Sequence, residues 1–188
     1  MAQRIEQVGY GHADAARLIE EVQGEYVARY GGPDEGPIDP LMFEPPHGSF
    51  FVGYLDDVPV ATGAWRRGSV EAFGTTATAE IKRMYVAPSA RGRGLARWIL
   101  AHLEETARAS GIEALILETG LRQPEAIALY GSSGYTAIPA FGHYRDSPLC
   151  RCFGKRLVPS GDEGVTPRRD AAPGRGPAAA APPRTRGP

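Results

Sequence analysis

Cysteine is scarce in this sequence, and its placement excludes a disulfide framework. Only Cys150 and Cys152 occur among 188 residues, and one arginine separates them. A disulfide across that spacing would be strained, and one close pair cannot supply the four ligands of a structural zinc site. We therefore expect two reduced thiols with a structural role, and no metal centre.

Long apolar runs and an excess of charge of one sign are also missing. No stretch approaches the roughly 18 apolar residues of a membrane span, and the N-terminus lacks a basic segment followed by an apolar one. The formal net charge is −1, so the molecule as a whole does not attract nucleic acid or a membrane surface strongly. We expect a cytoplasmic protein with neither of these as a partner.

The segment 158–188 differs from the rest of the chain in being rich in proline, alanine, glycine and arginine. Such a composition cannot offset the entropy of ordering, so we predict one folded domain over 1–157 and a disordered tail over 158–188. An RNA-binding role for the arginines of the tail is the weaker alternative, because aromatic residues that would stack on bases are missing there.

Strand and helix signals alternate through the predicted domain. Strands are predicted at 4–8, 78–88, 113–120, 135–139 and 149–157, with an antiparallel hairpin over 49–67. Helices are predicted over 13–30, 92–110 and 123–134, and a long turn-rich loop over 31–48. Hairpins followed by a strand–helix–strand unit indicate an α/β (α+β) fold, a mixed sheet with helices on its faces.

The stretch "VAPSARGRGLARWIL" (86–100) places a glycine turn between a strand and a helix. Unpaired N–H groups and the helix dipole favour an anion at a helix N-terminus, and glycines let a phosphate approach the backbone closely. Arg91, Arg93 and Arg97 add positive charge around the turn. A pyrophosphate is the expected ligand, but the sequence patterns for ATP and for dinucleotides are absent.

Three segments carry a family resemblance. The run Arg91-x-x-Gly94-x-Ala96 resembles the [QR]-x-x-G-x-[GA] motif of the GNAT superfamily of N-acetyltransferases. The preceding "EIKRMYVAPSA" resembles the fourth strand of that family, and "EAIALYGSSGY" resembles its helix ending in A-x-x-L-Y. Over roughly 4–157 this implies the GNAT fold, a mixed and mostly antiparallel sheet of about seven strands flanked by helices on both faces.

The resemblance implies an acetyl-CoA-dependent N-acetyltransferase that moves the acetyl group directly to a primary amine. N–H groups of the glycine turn would hold the pyrophosphate, the strand edge would pair with the pantetheine arm, and glutamine would stand where the family often has asparagine. The expected cofactor-binding residues are Met84, Tyr85, Val86, Arg91, Gly92, Arg93, Gly94, Leu95, Ala96, Arg97, Gln123 and Tyr130.

Acetyl transfer requires a base for the amine, a donor for the oxyanion and an acid for the leaving thiolate. By resemblance, Tyr130 is the acid and the Met84 backbone N–H is the oxyanion donor. Glu80 is the leading candidate for the base and Glu118 the second. Pairing with a neighbouring cation is the alternative role for Glu80.

The acceptor side is less defined by the sequence. The loop over 31–48 and the segment 141–153 are expected to shape the acceptor pocket, since neither belongs to the cofactor motif, and a surface role is favoured for His143. A non-catalytic acyl-CoA-binding sensor on the same fold is the main alternative function. The acceptor and the oligomeric state are left open, with a homodimer as one option.

Overall fold

A computed structural model describes residues 2–157; the tail predicted over 158–188 lies outside the described residues. The helices are α1 (Ala13–Tyr30), α2 (Leu95–Ala109) and α3 (Pro124–Ser132), with single 3-10 turns at Pro40–Phe43 and Pro88–Ala90. The strands are β1 (Gln3–Val8), β2 (Gly48–Leu55), β3 (Val58–Arg67), β4 (Thr78–Val86), β5 (Ala114–Gly120), β6 (Thr136–Ala137) and β7 (Cys150–Arg156). Within 2–157, none of the helices has the length and apolar character needed to cross a bilayer.

One seven-stranded sheet runs through the molecule in the order β1-β2-β3-β4-β5-β7-β6. The β4–β5 pair is parallel and every other pair is antiparallel. The predicted mixed, mostly antiparallel sheet of about seven strands is therefore confirmed.

The parallel pair is short compared with the strands that form it. Register runs only from Thr78↔Ala114 to Glu80↔Ile116, whereas β4 continues to Val86 and β5 to Gly120. Beyond this point β5 stays paired with β7, and β4 follows β3. The two central strands thus diverge and leave an opening in the middle of the sheet.

Helices cover both faces of the sheet, as predicted. On one face, Leu18 and Val22 of α1 pack with Phe43 and Phe50 in a buried cluster. On the other face, α2 and the Tyr130 end of α3 pack over the sheet. The predicted apolar stripe of α2 is fully buried and comprises Leu95, Ile99, Leu103 and Ala107.

Helix α2 begins three residues later than the sequence pattern predicts. Gly94 is its N-cap and adopts a left-handed conformation with φ 78°. A residue in that conformation cannot continue a right-handed helix, so the glycine turn stays outside the helix and points its N–H groups away from it. This boundary leaves the glycine turn at one end of the cavity described below.

Candidate active site

The opening between β4 and β5 is one end of a cavity of about 990 Å³. The cavity extends along β4 to the start of α2 and is bordered by α1 and α3. Its volume is at the upper end of the range of ~300–1,000 Å³ that is typical of small-molecule sites. A long ligand can therefore reach from the α2 N-terminus into the centre of the sheet.

The glycine turn forms the outer end of the cavity. Gly92 and Gly94 have φ of 76° and 78°, and a Cβ placed on either would meet nothing within 4 Å. In the described part of the chain, the N–H groups of Gly92, Gly94 and Leu95 donate no hydrogen bond to a backbone carbonyl. With the positive end of the α2 dipole, this turn fits a pyrophosphate.

Arg91 and Arg97, on either side of the turn, connect elements that border the cavity. Nε of Arg91 donates to the Val86 carbonyl at 2.9 Å, and its guanidinium pairs with Glu25 of α1. Arg97 Nη2 donates to Ser132 Oγ at 2.8 Å and so connects α2 to the end of α3. All the expected cofactor-binding residues line the cavity except Arg93.

The inner part of the cavity runs along an open strand edge. From Ile81 to Val86, β4 has no strand partner among the described residues on the side that faces β5. Main-chain N–H and carbonyl groups there are available to an extended, amide-containing ligand, as in strand addition. Across the cavity, Gln123 is held by a hydrogen bond from Thr119 Oγ1 to its Oε1 at 2.9 Å.

Tyr130 lies near the C-terminal end of helix α3 and is 5% exposed. Its ring packs edge-on against Tyr135 at 5.5 Å and lies 6.5 Å from Phe153, while the residue lines the cavity. Burial raises the pKa of the Tyr130 hydroxyl above its ordinary value, so the group stays protonated at neutral pH. Among residues 2–157 this hydroxyl has no hydrogen-bond partner and is available to a ligand.

The structure places Glu80 among cations rather than at the cavity wall. Its Oε2 accepts from Arg66 Nε at 3.0 Å and Nη2 at 2.8 Å, and Lys82 Nζ lies 2.7 Å from Oε1. Glu80 is not among the residues that line the cavity. Its environment is that of a carboxylate in a structural ion-pair network.

Glu118 lines the cavity, and its side chain is 7% exposed. Burial, together with the nearby charge of Glu80, raises the pKa of Glu118, while Lys82, whose Nζ lies 3.5 Å from Oε2, acts in the opposite direction. A Cβ on Gly142 would lie 2.8 Å from the Glu118 carboxyl group. Only glycine at this position lets the backbone approach the carboxyl so closely.

Two loops that are distant in sequence meet at this end of the cavity. Tyr144 Oη donates to Asp34 Oδ1 at 2.8 Å, and the Glu35 N–H donates to Tyr144 Oη at the same distance. Asp34 Oδ2 in turn accepts from Arg83 Nη1 of β4 at 2.6 Å. Sequence reasoning missed all three side chains as site residues; the available signal was an arginine inside an otherwise buried strand.

His143 next to Tyr144 is exposed, and its ring packs edge-on against that of Tyr144 at 4.7 Å. In contrast, the 3-10 turn of the first loop turns away from the cavity. Its Phe43 is buried and stacks on Tyr10 at 5.3 Å. Of the loop over 31–48, the segment 31–35 lines the cavity.

Both cysteines are free thiols, and Cys150 lies at the cavity wall. Its Sγ is 3.7 Å from Cys152 Sγ and 3.9 Å from Glu118 Oε1. These three donor atoms are close enough to hold a metal ion, but burial raises the pKa of Cys150 to about 12. The thiol therefore stays protonated at neutral pH unless a bound cation displaces its proton.

The fold and the cavity together define an acyl-CoA-dependent transferase, and comparisons with known proteins agree. Residues 15–135 match the Acetyltransferase (GNAT) family. The chain is 35% identical over 141 residues to an IAA acetyltransferase of Azospirillum brasilense, covering 75% of this chain and 89% of that protein.

Solved structures show the same fold. A candidate acyl-CoA N-acyltransferase from Klebsiella pneumoniae superposes with a TM-score of 0.68 and 27% identity, covering 83% of this chain and 98% of the other. The yncA protein of Salmonella typhimurium, solved with its cofactor acetyl-CoA, superposes with a TM-score of 0.60 and 21% identity, covering 90% of this chain and 99% of the other.

The chain belongs to the GNAT family of acetyltransferases. The predicted fold and the predicted activity of an acetyl-CoA-dependent N-acetyltransferase are confirmed. The alternative of a non-catalytic acyl-CoA sensor is not favoured by these findings.

Proposed function

We propose that the chain transfers acetyl directly from acetyl-CoA to a primary amine, with Glu118 as general base and Tyr130 as general acid. One observation carries this proposal. A single cavity is lined by the free N-terminus of α2, by the open edge of β4, and by both of these ionisable side chains.

The cofactor residues follow from the shape of the cavity. N–H groups of Gly92, Gly94 and Leu95 would hold the pyrophosphate, and the β4 edge over Met84–Val86 would hydrogen-bond the pantetheine arm. The Met84 N–H is the proposed donor to the oxyanion, because Met84 lines the cavity on the segment of β4 that is not paired with β5.

The choice between the two carboxylates rests on their surroundings. Arg66 and Lys82 both pair with Glu80, which does not line the cavity. Glu118 lies at the wall, and its raised pKa makes it a stronger base than an ordinary carboxylate when it is ionised. We assign Glu80 to holding Lys82 and Arg66 in place.

The reaction then balances as follows. The amine nitrogen attacks the thioester carbonyl, a C–N bond forms, and the C–S bond breaks as the tetrahedral intermediate collapses. Glu118 accepts the proton that the amine loses, and Tyr130 gives its proton to the departing sulfur of CoA. Proton exchange with solvent restores both side chains, and the products are an acetamide and the free thiol of CoA.

Release of CoA thiol from acetyl-CoA, followed over a panel of primary amines, tests the proposed function. We expect thiol release that depends on the amine and yields an N-acetylated product in equal amount. Acetyl-CoA binding with no amine-dependent release across the panel would contradict the proposal and revive the sensor alternative.

Paired variants test the assignment of the base. Glu118→Gln is expected to lower kcat by roughly 10²-fold, because general base catalysis contributes about 10²–10⁴. The pKa of Glu118 lies above its ordinary value, so the native kcat should fall as the pH drops through that raised pKa. The variant should lack this acidic limb of the plot of kcat against pH. The measurement is kcat at saturating acceptor from pH 5 to 9.

Glu80→Gln is the matched comparison, since it makes the same change on the neighbouring strand. We expect the variant to keep the acidic limb of the kcat profile, with a lower melting temperature because Arg66 and Lys82 lose a partner. If Glu80→Gln instead removes the limb and Glu118→Gln retains it, Glu80 is the base.

A further inference from the structure

We propose that the amine acceptor of this enzyme carries a carboxylate group and that Arg83 binds it. The inference rests on the proposed function, since it names the class of acceptor for the same site. Arg83 is 6% exposed and lines the cavity on the side of β4 where the strands have diverged. A buried cation at a substrate cavity is a recognition group for an anion unless its own partners satisfy it.

Arg83 lies at a local irregularity of β4 beside the cavity. The pairing of β3 with β4 shifts between Ala64↔Lys82 and Thr62↔Tyr85, and Arg83 has φ of 56°. All of β4 from Ile81 to Val86 lines the cavity, and Arg83 lies at the irregular position within that segment. Backbone strain of this kind at a non-glycine residue is characteristic of functional sites.

The guanidinium of Arg83 is only partly satisfied by the protein. Nη1 donates to Asp34 Oδ2 at 2.6 Å, and Tyr10 lies near enough to the guanidinium to help raise the pKa of Arg83. Nε is buried and has no hydrogen-bond partner among the described residues. A carboxylate would give this cation a second acceptor group, and the planar fork of arginine suits two-oxygen recognition.

The charge balance of the inner cavity favours the same ligand. Three cations and three carboxylates gather around the point of divergence: Arg66, Lys82, Arg83, Asp34, Glu80 and Glu118. When Glu118 holds the proton taken from the amine, one positive charge is left over. A carboxylate on the acceptor restores neutrality beside these largely buried side chains.

Matched acceptors test the inference on the native enzyme. Each of glycine, alanine, methionine, phenylalanine and glutamate is compared with its own α-amide, which has the same side chain and a neutral carboxamide. The amine of the amide is the less basic one, so intrinsic reactivity at neutral pH favours the amide. We expect kcat/KM to be at least 10-fold higher for the acid in the pairs that are acetylated.

The variant Arg83→Gln should lose this preference, so that kcat/KM for each acid and its amide differs by less than threefold. Arg66→Gln is the matched control, because Arg66 belongs to the same charged group but is absent from the cavity wall, and it should keep the preference. The rise in melting temperature caused by acetyl-CoA should persist in both variants, which shows that they fold and bind the cofactor.

A binding measurement covers the case in which Arg83→Gln fails to fold. In calorimetry, the CoA-loaded native enzyme should bind N-acetyl amino acids with a Kd at least 10-fold lower than that for their N-acetyl amides. Equal kcat/KM and equal affinity within the pairs would overturn the inference, as would a preference for acids that survives in Arg83→Gln. If only amines without a carboxylate are acetylated, the inference about Arg83 is wrong but the proposed function stands. If no amine is acetylated, the proposed function itself is wrong.

Discussion

Acetyl-CoA is expected to raise the melting temperature of the native chain by roughly 5–11 °C and that of the Gly94→Trp variant by less than about 1 °C. The native value follows from ~2.7 kcal/mol of stabilisation at a ligand concentration 100 times its Kd, spread over a domain of this size. In the variant, an indole would fill open space at the N-terminus of α2, where the pyrophosphate is proposed to bind. The measurement is a thermal-shift titration of both proteins with acetyl-CoA.

Gly111→Trp is the matched control for backbone strain. Gly111 follows the other end of α2, has φ of 80°, and likewise has nothing within 4 Å of an added Cβ, but it does not line the cavity. Both variants should lose about 1–2 kcal/mol of stability from a side chain in the left-handed region. If Gly111→Trp also loses the response to acetyl-CoA, strain explains the loss; an undiminished shift in Gly94→Trp would show that the turn does not bind the cofactor.

The cofactor half of the site could be predicted from the sequence because its geometry is local. Gly92 and Gly94 adopt conformations that favour glycine, they directly precede a helix, and the proposed anion site consists of backbone N–H groups within a few residues of one another. Short-range spacing therefore carried most of the information. The burial of Tyr130 next to the cavity agrees with the motif that marked it.

The acceptor half could not be predicted in the same way, because its contacts join distant parts of the chain. The Tyr144–Asp34 hydrogen bond spans 110 residues, and Arg83 lies at a register shift of β4 that no periodic pattern reveals. The choice between the two candidate bases could not be made from the sequence for the same reason. Both Glu80 and Glu118 stand on central strands and lie close to Lys82; the contact of Glu80 with Arg66 and the position of Glu118 at the cavity wall distinguish them.

Replacement of Tyr130 by phenylalanine is expected to lower kcat by about 10²-fold or more while changing the KM for acetyl-CoA little. General acid catalysis contributes roughly 10²–10⁴, and only the proton donor is removed. The ring keeps its contacts with Tyr135 and Phe153, and no protein group among residues 2–157 loses a hydrogen bond to the hydroxyl. Steady-state kinetics with a good acceptor, at fixed pH and varied acetyl-CoA, gives both constants.

Tyr135→Phe separates a chemical role for the hydroxyl from a packing role for the aromatic cluster. Tyr135 is as buried as Tyr130 and the two rings pack against each other, but Tyr135 does not line the cavity. A proton donor must reach the leaving sulfur, so only Tyr130 can act, and Tyr135→Phe should retain kcat within about twofold. Equal losses of kcat in the two variants, accompanied by equal falls in melting temperature, would assign Tyr130 to the core and leave the thiolate to be protonated by another group or by water.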